Sequence, residues 1–385
     1  MSEFVHLHVH TQYSLLDGFS QIPKLITRAK DMNMPAIGIT DHGTMFGVID
    51  FFNEARKQEI KPIIGIEAYL ANGKMTEKSP QDRKSTHLLL LAENMKGYKN
   101  LLRIASAAQL EGFYYNPRID HEFLAAHSEG LICTSGCMSA EVPRALLQEN
   151  PEQAKRKLDW YYEVFGPDRF FLELQSHDIP ELPALNRQLL ELGKRYQGKF
   201  VATNDVHYVD PTDAIWQDIM LCVQTTSLLS DPNRMKMTDE SYYLKSGQEM
   251  AALFQDIPEA LSNSLLIAER CDVDLSTDGY VLPQFEVPDG YTEKSYLRKL
   301  CDEGLMRRYG EHANDPEIIE RLEYESGIID QMGFNAYFLI VWDLCRFAKE
   351  EGIWYNARGS AAGSIVAYAL EISLIDPLEH GLIFE

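Results

Sequence analysis

The chain opens on Phe4-Val5-His6-Leu7-His8-Val9-His10-Thr11, a strict alternation of apolar residues and histidines, and Asp17-Gly18 follows shortly after. On a β-strand, a period of two sends His6, His8 and His10 to one face and Val5, Leu7 and Val9 to the other. Histidines two apart on a strand lie roughly 6–7 Å apart at Cα, so neighbouring rings can converge on one ion, whereas three span about 13 Å and exceed its reach. Donors of the same kind recur down the chain: His42 after Thr40-Asp41, Glu67, His87, Cys137 after Ser135-Gly136, and Asp205 with His207 in Asn204-Asp205-Val206-His207. Imidazole and thiolate donors suit Zn, Mn or Fe better than Mg or Ca. Two or three divalent ions bridged by a carboxylate such as Glu67 lower the pKa of bound water and clamp the attacking and leaving oxygens of a phosphoryl group. The chemistry these residue types suggest is therefore phosphoester hydrolysis. The competing reading is a set of satisfied histidines and a buried, inert Cys137. Recurrence at strand after strand favours the metal reading.

Such donors act together only if the chain brings them to one place. Helical spacing of apolar residues predicts helices over Gln21–Met34, Val48–Gln58, Asn100–Leu110, Pro151–Phe165 and Pro183–Gln197. Between them, short apolar runs predict strands over Pro35–Thr40, Lys61–Ile66, Thr86–Leu91, Gly130–Thr134, Phe170–Leu174 and Phe200–Thr203. Strand–helix alternation implies parallel strands joined by crossover helices. Because the polar residues gather at strand C-termini, a β/α barrel is favoured over an open doubly wound sheet.

Composition bounds the rest. The chain has 385 residues, 45% hydrophobic and 24% charged, enough for two domains with proper cores. A formal charge of −22 argues against a surface wrapped broadly in nucleic acid and suits metal sites built on carboxylates. The six cysteines are scattered without a compact pattern, so a disulfide framework is not expected, and the Cys133 to Cys137 spacing alone is no zinc ribbon. No signal peptide and no bilayer-spanning apolar run is read from the sequence, so the expected location is cytoplasmic, with no membrane partner.

The spelling of the motifs adds a resemblance. His8-Val9-His10-Thr11 with Ser14, Thr40-Asp41-His42-Gly43, Gly65-Ile66-Glu67, His87-Leu88, Ser135-Gly136-Cys137 and Asn204-Asp205-Val206-His207 resemble the polymerase-and-histidinol-phosphatase (PHP) domain found at the N-terminus of bacterial C-family replicative DNA polymerases. The resemblance implies a distorted seven-stranded β/α barrel over residues 1–270 with a three-metal site. One metal would take His8, His10, Glu67 and Asp205; a second would share Glu67 with His87 and Cys137; a third would take Asp17, His42 and His207. Asp205, Glu67, His8 and His10 would carry the catalysis. His6 falls where related phosphoesterases carry an Asp and is placed outside the ligand set.

From residue 271 the pattern changes. Leu282-Pro283-Gln284-Phe285-Glu286-Val287-Pro288-Asp289-Gly290 reads as an extended linker, and Tyr296–Tyr309, Pro316–Met332, Ala336–Glu351 and Ile365–Ile372 read as helices. Small residues opening a helix leave backbone N–H groups for a phosphate, and Arg358, Gly359, Ser360, Gly363 and Ser364 supply such a stretch. Close helix packing explains such a stretch equally well. Followed by Asp376-Pro377-Leu378, it resembles the start of the C-family palm, a polymerase-β-like nucleotidyltransferase fold that would bind the nucleotide triphosphate with Mg. Tyr355-Asn356-Ala357 departs from the Gly-Pro-Gly run expected before Arg358. The Asp-x-Asp pair expected downstream would lie beyond Glu385, so the expectation is a mostly helical, incomplete palm over residues 271–385 that does not polymerise by itself. The partners implied are DNA primer–template, deoxynucleoside triphosphates, a separate proofreading exonuclease subunit and a sliding clamp. Three readings follow for the first region: a 3′→5′ exonuclease, a pyrophosphatase or phosphomonoesterase, or a metal-stabilised scaffold that docks the exonuclease subunit.

Overall fold

Short apolar runs become the seven strands of one sheet: β1 (Ala36–Ile39), β2 (Lys61–Leu70), β3 (Thr86–Ala92), β4 (Arg118–Ile119), β5 (Leu131–Thr134), β6 (Phe170–Leu174) and β7 (Lys199–Ala202). The structure is a computed structural model that describes residues 3–15, 17–276 and 282–385. The strand order is β1-β2-β3-β5-β6-β7, with β4 paired to β2 off that path. Pairs β1–β2, β5–β6 and β6–β7 are parallel, and a helix crosses between the strands of each pair. β3 departs from the all-parallel expectation, running antiparallel to both β2 and β5. Between β2 and β3 the chain has only a loop with one 3-10 turn, Pro80–Arg83. Without a crossover helix, neighbouring strands return antiparallel.

The alternation of side chains along these strands separates two apolar layers. Ala36, Ile63, Leu91, Ile132, Phe171 and Val201, one from each of six strands, pack inside the curled sheet with Ile267, Ala268 and Cys271 from or just after the helix Pro258–Arg270. On the outer face, Ile37, Ile64, Leu90, Phe170 and Leu172 pack under the crossover helices. The helix Ile22–Asp31 buries Ile22, Leu25, Ile26 and Ala29, and Val48–Lys57 buries Val48, Phe51, Phe52 and Ala55, both at the spacing that makes one helical stripe. Each fully buried Leu, Ile or Phe side chain stabilises by roughly 1.5–3 kcal/mol, and this double layer holds the rim of the sheet in place.

The opening segment is extended but is not a regular strand. It lies between β1 and the chain that follows β7. Gly38 N donates to His6 O at 2.7 Å and Thr40 N to Val9 O at 2.9 Å on one side; on the other, His10 N donates to Val206 O at 2.7 Å and Val206 N to His8 O at 3.0 Å. A Cβ on Gly38 would sit 3.1 Å from the His6 and Leu7 backbone, so the close approach depends on its absence. The backbone bends at His8, which breaks the expected two-residue period. Val5 and Leu7 join the interior layer, whereas Phe4 and Val9 join the outer one. Below the bend the histidine therefore points outward, and above it His8 and His10 point into the rim.

The chain divides into two compact units, Met1–Ser276 and Thr277–Glu385. Cys271 and Val273 pack in the first unit's core, and Asp272 N donates to Glu93 O at 2.8 Å. The second unit is helical: Glu293–Tyr309, Pro316–Gln331, Asn335–Glu350 and the short Ile365–Ala369 surround a core that includes Leu297, Leu305, Leu322, Leu339 and Val366. Phe285 and Val287, from the stretch read as a linker, pack against that core. Among the described residues no helix is long and apolar enough to cross a membrane.

Candidate metal centre

The rim of the curled sheet collects the donors. His42 follows β1, Glu67 lies within β2, Cys137 follows β5, and Asp205 and His207 follow β7. Because β3 runs the other way, its second residue, His87, reaches the same rim from the strand's start. Asp205 occupies the left-handed backbone region at φ 50°, uncommon for a residue with a Cβ and a conformation that Asp tolerates better than most.

Glu67 stands at the middle. Its Oε1 lies 3.3 Å from His8 Nε2, 2.9 Å from His87 Nδ1 and 3.6 Å from Cys137 Sγ. Its Oε2 touches His42 Nδ1 and lies 3.9 Å from His10 Nε2. Asp205 Oδ1 lies 3.2 Å from His8 Nε2 and 3.1 Å from His10 Nε2. Asp17 faces His42 Nε2 at 3.2 Å and His207 Nε2 at 3.6 Å. All nine residues predicted as ligands thus lie in one continuous cluster. Three groups within it bring their ligand atoms within 4.8 Å of one another: His8, His10 and Glu67; His42, Glu67 and His87; and His10, His42 and His207. His10 and His42 each belong to two groups, and their rings stack at 4.0 Å. His6 stands apart, with Nε2 against Lys245 O at 2.8 Å and its ring edge-on to Phe4; burial lowers it to about 4.

The donor set fits divalent cations on an observation independent of the motifs. His8 Nε2, Asp17 Oδ1, His42 Nδ1 and Glu67 Oε2 are buried and make no regular hydrogen bond, facing instead the imidazole and carboxylate atoms of the cluster itself. Buried ligand atoms that converge on one another without regular hydrogen bonds are what a cation-binding cluster presents. The other nitrogens of three rings are tied back. His8 Nδ1–H donates to Glu173 Oε1 at 2.8 Å, His10 Nδ1–H to Ser14 Oγ at 3.1 Å, and His207 Nδ1–H to Asp205 O at 2.7 Å. Ser14 in turn donates to Asp41, which also accepts from Thr11 N at 2.6 Å. These contacts fix the tautomer that leaves each Nε2 lone pair facing the cluster.

Electrostatics agree. Burial pushes Glu67, Asp17 and Asp205 up, but the surrounding imidazoles, chiefly His87, His42 and His8, hold all three below the usual carboxylate range. Burial pushes His8 and His42 down, and the Asp205 and Glu173 charges on one and the Asp17 and Glu67 charges on the other hold both well above their ordinary values. His10, buried beside His42 and His207, falls to about 3 and remains a neutral donor. Cys137 is pushed up by burial and by Glu67, so its thiol requires a cation nearby to ionise.

Sequence reasoning passed over Glu173, whose carboxylate also accepts from Thr134 Oγ1, from Thr203 Oγ1 at 2.6 Å and from Gln175 Nε2 at 3.1 Å. Its signal was a single acid inside the apolar run Phe170-Phe171-Leu172-Glu173-Leu174. Tyr69 was also missed: it lies edge-on to His87 at 5.2 Å and over His42 at 6.2 Å.

Residues 6–177 match the PHP domain, and residues 295–385 match the bacterial DNA polymerase III alpha NTPase domain. The DNA polymerase III subunit alpha of Borreliella burgdorferi is 48% identical over the whole of this chain, that of Treponema pallidum 44% over 99%, and that of Mycobacterium tuberculosis 43% over the whole. The chain belongs to the DNA polymerase III alpha family. It spans about a third of the length of those relatives, covering 34%, 33% and 34% of them respectively. A two-domain protein of Bacteroides vulgatus containing a PHP-like phosphoesterase aligns at 12% identity and a TM-score of 0.32 over 70% of each chain, a distance that carries no functional weight.

In this chain, Asp205 and His207 lie beyond the PHP-matched residues, and the fold brings them to the rim through Val206. The Arg-Gly-Ser stretch falls in the polymerase-matched part and divides in two. Arg358, Gly359 and Ser360 are exposed, with Gly359 at φ 70°. Gly363 and Ser364 are buried, and the helix start beyond them is already occupied. The fully buried Glu325 accepts from Ser364 Oγ at 2.8 Å, Ile365 N at 3.1 Å and Val366 N at 3.2 Å, and Arg321 Nε bonds it at 2.6 Å.

Proposed function

We propose that the first unit is a metal-dependent phosphoesterase that removes nucleotides from DNA 3′ ends, and that the longer polymerase containing it uses this activity to proofread. The observation that carries the reading is the convergence of nine donors, four of whose buried ligand atoms make no regular hydrogen bond. His8, His10, Glu67 and Asp205 would hold one ion, Glu67, His87 and Cys137 a second, and Asp17, His42 and His207 a third, with Zn, Mn or Fe matching the donors. Bound ions of this kind supply an activated water and neutralise charge on a phosphoryl group. The chain's own contribution is orientation: Glu173, Ser14 and the Asp205 carbonyl aim three imidazoles inward, and the layered core below excludes water from them.

The polymerase itself is also a proposal, resting on the relatives' names. Arg358, Gly359 and Ser360 would meet the triphosphate of an incoming nucleotide with Mg. Gly363 and Ser364 would act indirectly, by fixing the turn onto Glu325. Primer–template DNA, a proofreading exonuclease subunit and a sliding clamp are the partners such an enzyme implies, and the cytoplasm is its place.

The experiment is a primer-end assay on the purified chain with Mn or Zn, offered single-stranded and mismatched ends beside pyrophosphate and a phosphomonoester. Degradation of DNA ends, lost in Asp205→Asn and in His8→Ala by about a hundredfold or more, is the expected outcome. Turnover of pyrophosphate or the monoester alone gives the site a small substrate. No turnover of anything by a chain shown to hold metal makes it a structural site.

A further inference from the structure

Beside the metal centre, two loops are built in a way that the centre does not need. The first joins β2 to β3 and carries Lys74, Lys78, Arg83 and Lys84, all exposed, against Glu77 and the buried Asp82, on a chain whose net charge is −22. The last of these cations, Lys84, stands three residues before His87. The second is the turn Phe113-Tyr114-Tyr115-Asn116-Pro117 ahead of β4. Here Phe113 is 50% and Tyr115 59% exposed, and Tyr115 is held at φ 62°. A bulky aromatic in the left-handed region is a strained conformation worth of order 1–3 kcal/mol, kept only where the surroundings over-determine it.

The surroundings do so through Arg118, which is fully buried. Its guanidinium donates to Gly112 O at 3.1 Å in the aromatic turn, and to Asp82 O at 2.8 Å, Met75 O at 3.1 Å and Glu77 O at 2.9 Å in the basic loop. One buried cation thus clamps the two loops together. Asn116 Nδ2 adds a bond to Ser85 Oγ at 3.3 Å, and the Arg83 guanidinium lies 5.0 Å from the Tyr115 ring centre. The pair abuts the centre through Tyr69, which bridges to Arg118 in the sheet and lies against His42 and His87. Pro117 packs so close to Gly43, the neighbour of His42, that a Cβ there would meet it at 2.7 Å.

Exposed aromatic faces beside a row of flexible cations are the elements of single-stranded nucleic-acid binding, rings stacking on bases while cations follow phosphates. We infer that the Phe113–Pro117 turn and the β2–β3 loop form a stacking platform for the unpaired bases of a single-stranded DNA end whose terminal phosphodiester lies at the metal centre. The inference rests on the nuclease reading for its orientation, but the platform can be tested separately. The strain at Tyr115 gives the ring its outward pose, and Arg83 supports both that ring and a phosphate.

The test is equilibrium binding, by fluorescence anisotropy, of a short oligothymidylate protected at its 3′ end by phosphorothioate linkages, to the chain and to Phe113→Ala and Tyr115→Asn variants. Asn tolerates the left-handed backbone, so Tyr115→Asn keeps the turn, and a thermal melt at least as high as that of the unmutated chain checks this. Each variant is expected to bind about fivefold or more weakly. On an oligomer lacking bases at its last positions, variants and unmutated chain should bind alike. Arg83→Ala is expected to weaken binding to both oligomers and to flatten its salt dependence. Unchanged affinity in both aromatic variants, or an equal loss on the abasic oligomer, overturns the platform. Turnover of bis(p-nitrophenyl) phosphate by the unmutated chain with Mn separates the two readings. Its absence counts against the phosphoesterase and leaves the binding result to judge the platform, whereas turnover with unaltered affinities in the variants defeats the platform alone.

Discussion

Glu173 shows how much a residue can do from behind the ligands. Its carboxylate receives Thr134, Thr203 and Gln175, so it has no freedom to turn, and the remaining contact is the one that aims His8. Replacing it by Gln keeps the shape and removes the charge that the His8 Nδ1–H donates to. Glu173→Gln is expected to weaken metal binding by about 10–100-fold while the fold stays intact, read by metal titration beside circular dichroism. Equal affinity in variant and parent would show that Glu173 is only filling space. The sequence exposed this layer unevenly. His8 and His10 could be paired from their motif, but the bend at His8 that expels His6 is a backbone event with no residue type to announce it. Glu173 hid because its neighbours are all apolar, although an acid in a wholly buried strand must find donors, and that necessity was the legible clue.

At the scale of elements, the longer helices were readable where their buried stripe was also their apolar stripe. Pro151–Phe165 has the bounds expected from its periodicity and buries Ala154, Leu158, Tyr161 and Phe165. Among the helices that passed unnoticed, two did so for the opposite reason. Pro258–Arg270 buries small or polar residues among its contacts, Ala260, Ser264 and Ala268 beside Ile267, so its apolar signal is faint. Ala214–Thr225 buries Gln217 with Leu221 and Cys222 while Ile215, Trp216 and Val223 are exposed, so its apolar signal points the wrong way. Three helices are also knotted by one carboxylate. Glu141 accepts from His121 Nε2 at 2.9 Å and from Tyr161 O–H at 3.0 Å, and it pairs with Lys157. Burial pushes Glu141 up, but His121 and Lys157 prevail and hold it below the usual range. A depressed folded pKa stabilises above the unfolded value, near 4.5, and that contribution disappears as pH falls through the folded value. Glu141→Gln should therefore lower the melting temperature at pH 7 and leave the chain's acid limb shallower. Parallel pH–stability curves for variant and parent would contradict the knot.

For the whole molecule, the two units have separate cores, one shared by the sheet and its helices and one among the helices after residue 277. Among the described residues, the ligand cluster lies in the first. Calorimetry is expected to show two transitions, and chelation should lower only one of them, by roughly 5 °C or more if an ion at a hundred times its dissociation constant stabilises by about 2.7 kcal/mol. A chelator that moves both transitions, or neither, would count against an ion-dependent first unit. The division was legible at the level of pattern, since strand–helix alternation gives way to helices alone. The point of division was not, because Cys271 and Val273 look like the start of something new and instead finish the first core.

The extended opening segment also has a consequence in time. Its partner Val206, and with it Asp205 and His207, is separated from Val9 by most of the first unit. A ribosome adding 5–20 residues each second needs about 10–40 s to cover that interval. Through that wait the first histidines to emerge have no seam to enter, and closing so long a loop is slow in its own right. The centre is therefore assembled from residues far apart in the order of synthesis, and a nascent chain halted before residue 206 carries imidazoles that can be scavenged by any free ion but no enclosed site to hold one.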